Sequence, residues 1–588
     1  MLSVTPGTPR TSDAAYGARV HGRHARAAAT PAGALGGQRT AAARARPRPR
    51  GRPRRRGGAL AVWTTLLGLL AIAPLVDGLA GSAGALALAA GALAGAALAW
   101  NVARAGAPPA APSTLYLGAL AAFHLGLLVP WALGAAEEPL WLAATAGAAI
   151  GRALLAVMLA VVCYELGLLV GWGRGAPSLR PAPAVRRGAS ALHGGGLALA
   201  ALAVLAALAN LGTIGIGRFL STSYGYEIYA AADSRLLQTA LFWLLPAAAL
   251  IALAGARPGR EARRALALAG TAALLLLWAG DRGGAVALGA AATVVWTYGI
   301  GAVPRRPGVR PMTAYRRAAA GIRGCGVADP SVRAAVDHTR SESAPCARGA
   351  GRGSRRVGLL VAAGALAVLV VIPAVGMLRQ LPRNGVSLAE VRRAALTASP
   401  LAALTEMGGS VRPLIETLRL VPVETPYRLG SSYAQAALRV VPNVGLTRAA
   451  VDWNDPVSLP PNHWITYLVA PWTYAAYGGI GFSAVAEPYL NFGVAGIAGY
   501  FLALGALLGR LDRALAAAPS RRRLALAAVV CMPLLLTVRN DFHGFARAAA
   551  WGVAAVLAVE WAHGDAGRRV RRRRAWAPDA ARLQRRPA

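Results

Sequence analysis

Residues 477–493 read YGGIGFSAVAEPYLNFG, and this run decides how the chain is interpreted. It closes a polar, aromatic segment that begins near residue 378, and a strongly apolar segment follows directly. The run carries one carboxylate, Glu487, and one amide, Asn491, where the chain turns apolar. A carboxylate facing lipid would cost about 3 kcal/mol. We therefore expect Glu487 to face a cavity at the membrane surface, or to be the structural partner of a nearby arginine.

Composition places the chain among membrane proteins. Of its 588 residues 56% are hydrophobic, and the formal net charge is +39. Soluble proteins that bind nucleic acid rarely combine such charge with such apolarity, so no nucleic-acid partner is expected. Apolar segments of about 20 residues recur along the chain, each long enough to cross a bilayer. The sequence predicts an all-α, polytopic transmembrane helical bundle of about 12 spans with one large extracytoplasmic loop.

The basic residues, all of them arginine, set the expected orientation. Most fall in segments that share one side of the membrane when both termini lie inside, and arginine bias of this kind marks the cytoplasmic side. We expect a multi-pass protein of the cytoplasmic (inner) membrane with both termini cytoplasmic. The basic segments are either orientation signals or binding sites for anionic membrane lipids. The expected organisation is a disordered basic cytoplasmic tail (1–57), transmembrane helices 1–8 (58–303), a basic and disordered cytoplasmic loop (304–356), helix 9 (357–377), the large extracytoplasmic loop (378–492), helices 10–12 (493–563) and a basic cytoplasmic tail (564–588).

Known cofactor and metal patterns are missing from the sequence. It has no phosphate-binding loop of the Walker type and no dinucleotide fingerprint. The four cysteines match neither a disulfide framework nor a metal-binding spacing. We expect no metal and no cofactor. The energy for any bond formation must then arrive with the substrate, and a lipid diphosphate leaving group would supply it.

Two short connections between spans are candidate anion sites on the outer face. The first is Asp281-Arg282-Gly-Gly, and the second is Arg539-Asn-Asp541-Phe-His543. An arginine fork suits a bidentate grip on phosphate oxygens, and a carboxylate beside an imidazole can move a proton. The alternatives are an Asp–Arg pair that marks a helix end and an ordinary polar hairpin.

The large outer loop contributes further candidates. Arg412 follows two glycines, Arg428 lies between two tyrosines, and His463 precedes a tryptophan. Aromatic faces with amide and carboxylate neighbours are typical of sugar-binding grooves, although each run alone is more often plain loop packing. Glu487 is the preferred general base for a hydroxyl, with Asp541 and His463 as alternatives.

These residues resemble a known family. Residues 481–493, residues 280–284 and the late large outer loop are similar to the O-antigen or repeat-unit polysaccharide polymerases (Wzy-type), and more broadly to GT-C-like membrane glycosyltransferases. The resemblance covers roughly residues 59–303 and 357–563. The basic tail and the 304–356 insertion depart from the family pattern.

The resemblance implies a metal-independent polymerase that joins oligosaccharide repeat units carried on undecaprenyl diphosphate at the outer face of the cytoplasmic membrane. Arg282 and Arg539 would bind the donor diphosphate, and Glu487, Tyr489 and Asn491 would line the acceptor site. The implied partners are a lipid-linked oligosaccharide, together with flippase and chain-length regulator proteins. The full candidate set is catalytic Arg282, Glu487 and Arg539, with substrate-binding Asp281, Arg412, Arg428, His463, Tyr489, Asn491, Asp541 and His543.

Two other functions stay open. An O-antigen-type ligase would transfer finished glycan to another acceptor, and it would consume long chains instead of making them. A lipid-linked oligosaccharide flippase or exporter would have charges along a central cavity, whereas the charges of this sequence gather at one face.

Overall fold

The computed structural model describes residues 62–67, 82–103, 108–173, 189–215, 237, 239–279, 281–300, 389, 400–441, 458–475, 478–517 and 519–576. The predicted tail 1–57, the loop 304–356 and the ninth span 357–377 lie outside the described residues. Where the structure is described, every regular element is helical and none is a strand. The predicted all-α class is therefore confirmed.

We number the helices in chain order. They are α1 (Ala83–Ala103), α2 (Pro112–Leu125), α3 (Leu128–Ala132), α4 (Leu140–Ala143), α5 (Gly147–Trp172), α6 (Ala189–Ile214), α7 (Leu245–Gly255), α8 (Arg260–Trp278), α9 (Arg282–Val295), α10 (Pro400–Gly408), α11 (Val411–Leu420), α12 (Ser431–Leu438), α13 (Pro461–Val469), α14 (Pro471–Ala475), α15 (Ala486–Ala517), α16 (Arg521–Leu536) and α17 (Phe542–Trp576). Two π-helical segments, Thr239–Leu244 and Trp296–Ile300, directly precede α7 and follow α9.

Several of these helices identify an integral membrane protein. In the described part of the chain, six are long and apolar enough to cross a membrane: Ala83–Val102, Gly147–Trp172, Ala191–Thr213, Arg282–Ile300, Ala486–Ala517 and Phe542–His563. The apolar stretch Thr239–Gly255 is shorter. The predicted total of about 12 spans is not confirmed.

Helices α5 and α15 form a close pair through glycines. Gly167 and Gly171 on α5 face Gly505 and Gly509 on α15, each pair spaced as GxxxG. A Cβ on Gly509 would lie 2.9 Å from the carbonyl oxygen of Leu168, so only glycine allows this approach. Between lipid-embedded helices, close backbone packing supplies much of the association. The glycines therefore set the position of α15, which carries Glu487.

Polar side chains inside the bundle tie other helices together. Asn101 on α1 donates to Glu165 on α5 over 2.8 Å, and the Ser113 hydroxyl on α2 donates to the Asp512 carboxylate on α15. Tyr164 donates to the carbonyl oxygen of Ser113 over 2.8 Å. Buried groups of this kind are tolerated because each has a polar partner.

Helix α15 is broken near its start. Phe492 (φ −139°, ψ 16°) and Gly493 (φ 64°, ψ −150°) leave the helical conformation, so a short turn from Ala486 precedes the long helix. The Ser483 hydroxyl begins the turn by accepting from the backbone N–H groups of Val485 and Ala486. The backbone of Phe482 donates to the carbonyl oxygen of Arg539 over 2.7 Å. The glycine-rich run and the second predicted tip therefore lie side by side.

Candidate active site

Glu487 lies where three predicted segments meet. Its carboxylate is 3% exposed. One oxygen accepts from the Ser432 hydroxyl over 2.8 Å, and the other accepts from the backbone N–H of Phe542 over 2.6 Å. One carboxylate thus joins the aromatic run, the outer loop and the second tip. Ser432 lies between the same two tyrosines as Arg428, Tyr427 and Tyr433, but it was not singled out in the sequence.

Asn491 and Tyr489 fasten the outer loop to the run. The Asn491 side chain accepts from the backbone N–H of Gly430 over 2.9 Å and donates to the Ser432 hydroxyl over 2.8 Å. The Tyr489 hydroxyl donates to the carbonyl oxygen of Val421 over 3.2 Å, and its ring meets Tyr427 edge-on at 6.0 Å. Both side chains shape the wall around Glu487.

Arg428 brings a buried positive charge to the same wall. It is 8% exposed, and its Nη1 donates to the carbonyl oxygen of Leu459 over 2.8 Å. The guanidinium carbon lies 5.2 Å from the centre of the Trp464 ring, within cation–π range. Arg428 is close enough to Glu487 for an attractive charge–charge interaction.

Asp541 is the second buried carboxylate of the site and is 4% exposed. It directly precedes α17, and it accepts from the backbone N–H groups of Asn462, His543 and Gly544. Burial raises the pKa of the Asp541 carboxyl above its ordinary value, although these hydrogen bonds oppose the shift. Asp541 also interacts with Glu487. Two carboxylates this close favour a state in which one of them holds a proton.

Basic side chains gather beside Asp541, and we call Arg439, His463, His543 and Arg547 the basic cluster. Arg439 Nη1 lies 3.0 Å from His543 Nε2, and Arg547 Nε donates to the carbonyl oxygen of Arg439 over 2.8 Å. Burial and the neighbouring Arg547 lower the pKa of Arg439 to about 10, so it stays charged at neutral pH. Burial and Arg439 lower the pKa of His463, which favours its neutral form. The positive charge of the cluster is therefore carried by Arg439 and Arg547, whose guanidinium groups suit an anion.

Arg439 and Arg547 were not among the residues predicted from the sequence. Arg547 lies four residues after His543 on α17, and this spacing places both on one helix face. The four-residue spacing from His543 could therefore have identified Arg547 from the sequence. Arg439 follows α12 in the outer loop, and nothing in its local sequence separates it from other loop arginines.

The arginines of the two predicted tips, Arg539 and Arg282, are not part of the basic cluster. Arg539 is exposed, and its backbone carbonyl oxygen accepts from Phe482. Arg282 is buried, with Nη1 2.7 Å from Glu406 Oε1. Asp281 caps the start of α9 by accepting from the backbone N–H of Gly284 over 2.7 Å. Arg412 stacks over the Trp141 ring at 5.7 Å.

A cavity of about 220 Å³ opens beside the basic cluster. Its walls are mainly apolar, and Asp281, Thr537, Asn540 and Asp541 supply the polar side chains. Trp243, which stacks under Arg547, lines it together with Phe545. The two predicted tips are therefore neighbours, although their arginines point to different partners. Across the described residues, no group of three or more His, Cys, Asp or Glu side chains could hold a metal ion.

Comparison with known families adds an independent observation. Residues 352–559 match the family described as O-antigen polysaccharide polymerase Wzy. This match confirms the resemblance to the Wzy polymerases. The matched Wzy segment contains Glu487, Asp541 and the basic cluster, but it begins after Asp281 and Arg282. No curated protein and no solved structure matches the chain. The description of the matched family names an O-antigen polysaccharide polymerase, and the match leaves residues 1–351 of the chain uncovered.

Proposed function

We propose that the chain polymerises oligosaccharide repeat units carried on undecaprenyl diphosphate, at the outer face of the cytoplasmic membrane and without a metal. The growing glycan passes from its lipid diphosphate to a hydroxyl of the incoming lipid-linked unit. One observation carries the proposal: two buried carboxylates, Glu487 and Asp541, adjoin the basic cluster at one end of a membrane bundle.

Glu487 serves as the general base in this proposal. Its two oxygens accept from the Ser432 hydroxyl and the Phe542 backbone N–H, and a carboxylate has about four acceptor positions, so an acceptor hydroxyl can bind to it as well. The acceptor hydroxyl gives its proton to Glu487 while its oxygen bonds to the anomeric carbon of the donor. The bond from that carbon to the diphosphate oxygen breaks, and its electron pair leaves with the diphosphate. Asp541 and His463 remain alternatives for the base.

The departing diphosphate gains negative charge, and fixed cations stabilise such charge. Arg439 and Arg547 are better placed for this than Arg282, because Arg439 lies beside His543 and Asp541 and Arg547 lies beside Arg439, while Arg282 is paired with Glu406. Arg539 lies next to the run at Gly481 and can reach a diphosphate from the solvent side. We therefore assign the donor diphosphate to the basic cluster with Arg539. Arg282 would have to leave Glu406 to take part.

The arginines at the other end of the bundle support the proposed orientation. Arg521, Arg522 and Arg523 begin α16, whose far end leads to Asp541. Arg510 and Arg513 lie near the end of α15, more than 20 residues from Glu487. Arginines mark the cytoplasmic side, so the carboxylates would face outward.

The test uses carrier lipids extracted from a strain that lacks this chain, incubated with the purified protein in detergent. We expect mass spectrometry to show a ladder at whole multiples of one repeat unit. Arg439→Gln should slow ladder growth about 100-fold, the usual effect of losing one transition-state donor. Arg419→Gln is the matched control, because Arg419 is half-exposed and pairs with Glu416 and Glu424. Unchanged single units from folded protein, or long chains moved intact to another acceptor, would contradict the proposal.

A further inference from the structure

We infer that the chain has a second saccharide site, separate from Glu487, which holds a distal part of the growing glycan. This inference rests on the proposed function for the identity of the glycan. The site is the cavity between the 127–141 connection and α10, which we call the α10 cavity. It measures about 560 Å³, a volume typical of small-molecule sites.

The side chains that line the α10 cavity match the surface of a sugar. Trp141 offers an aromatic face to the CH groups of a pyranose ring, while Leu127 and Pro139 add apolar surface. Glu137, Thr405 and Glu406 bring oxygens that accept hydrogen bonds from hydroxyl groups. An acyl chain would leave these oxygens without polar ligands, and a phosphate would be repelled by Glu137 and its neighbour Glu138. A neutral sugar ring fits both conditions, because its hydroxyl groups donate hydrogen bonds to these oxygens and it carries no negative charge.

The walls of the α10 cavity are held by two arginines. Arg282 fixes Glu406 through the 2.7 Å ion pair, and Arg412 lies 5.7 Å from the centre of the Trp141 ring. Fixed side chains lose less conformational entropy when a ligand binds. From the sequence, Arg282 was a catalytic candidate and Arg412 a substrate-binding candidate, and here both support the residues that would touch the sugar.

A short series of contacts relates the α10 cavity to Glu487. Ser483 caps the turn that carries Glu487, and the buried His124 on α2 has Nε2 2.7 Å from the Ser483 hydroxyl. Three residues after His124, Leu127 lines the α10 cavity. Gly408 on α10 packs so closely on Leu127 that a Cβ would collide with its backbone. The C-terminal end of α2 therefore connects the turn that carries Glu487 with the α10 cavity.

This arrangement lets one glycan chain use both places. The reacting end must lie at Glu487, so the α10 cavity can only hold units that have already been joined. A polymerase that keeps hold of its product adds more units before release. The α10 cavity would therefore control chain length and leave the bond-forming step unchanged.

The test measures binding of a probe without lipid or diphosphate, namely the reducing glycan released by mild acid from the polymer of the producing strain. We expect the multi-unit glycan to bind the purified full chain in detergent by calorimetry. Trp141→Ala should weaken the Kd about tenfold, equivalent to about 1.4 kcal/mol and the upper range for an aromatic contact. Leu140→Ala is the matched control, because Leu140 is 91% exposed and is not part of the cavity lining. Glu137→Gln, with Glu138→Gln as its control, repeats the test at exposed positions where folding is not at risk.

A second readout follows product length in the ladder assay. Trp141→Ala and Glu137→Gln should shorten the chains while the first addition keeps its rate. Binding and lengths equal to those of the control variants would overturn the inference, even if wild-type protein makes a ladder. A wild-type protein that makes no ladder, but binds glycan in a Trp141-dependent way, would refute the proposed function and leave the saccharide site standing.

Discussion

Glu487 and Asp541 explain at the residue scale why the site can move a proton. Each is almost fully buried, yet each accepts hydrogen bonds from groups that the backbone holds in place. Asp541 stands where two helices begin, since Asn462 belongs to the first turn of α13 and His543 to that of α17. Helix N-termini stabilise a negative charge by up to about 1 kcal/mol. Backbone N–H groups and two helix starts therefore hold the Asp541 carboxylate in a defined position beside the segment that contacts Glu487.

His463 gives a prediction about pH. Burial and Arg439 lower its pKa in the folded protein, so the unfolded chain binds the extra proton first as pH falls. Stability should therefore be complete above the ordinary histidine pKa of about 6.5 and decrease as pH falls below it. We expect the thermal midpoint of the wild type to drop more between pH 7 and pH 5 than that of His463→Gln.

Replacement of His563 supplies the control for that experiment. His563 is exposed near the far end of α17, so His563→Gln should keep the wild-type pH dependence. If the thermal midpoint falls equally between pH 7 and pH 5 for wild type and His463→Gln, His463 is not held neutral by the fold.

The break in α15 is the decisive feature at the element scale. Gly493 has φ +64° and ψ −150°, a combination nearly restricted to glycine where an L residue costs about 1–3 kcal/mol, and a Cβ there would lie 3.1 Å from the Tyr427 hydroxyl. We predict that Gly493→Ala lowers the unfolding free energy by about this amount. Because Tyr427 directly precedes Arg428, the same change should also slow polymerisation.

Gly499→Ala is the matched control for the break. Gly499 lies six residues further on in the regular part of α15, and nothing approaches its Cβ position within 4 Å. In a regular helix alanine gains up to about 1 kcal/mol over glycine. Thermal unfolding in detergent should rank the Gly499 variant at or above wild type and the Gly493 variant below it. The opposite order would mean that the break is not required by the fold.

The elements of the site differed in how far the sequence could reveal them. The run around Glu487 and the Asp541 tip were predictable, because polar groups beside apolar spans cost free energy unless they have polar partners. The partner of Arg282 was not predictable, since Glu406 lies 124 positions away and only the packing of α10 brings it near. Arg439 was not predictable for the same reason, because its neighbour His543 lies 104 positions away in the sequence.

At the scale of the whole molecule, the helical class followed from composition, and the described helices confirm it. The predicted number of spans is not confirmed, and in the described part of the chain apolar segments such as α2 fold as helices shorter than a membrane crossing. The Wzy match covers residues 352–559, which includes the carboxylates and the basic cluster. The helices before it contribute Ser113, His124 and Arg282, which position that segment. The apolar helices therefore hold the polar side chains of the site together at one end of the bundle.

The most direct test of this account compares wild type with Glu487→Gln in the ladder assay. The amide keeps the size of the side chain but cannot take the proton of the acceptor hydroxyl, so ladder growth should fall at least about 100-fold. Glu424→Gln, at a half-exposed position paired with Arg419, should keep the wild-type rate. A folded Glu487→Gln protein that still builds the ladder at the wild-type rate would contradict the assignment of Glu487 as the base.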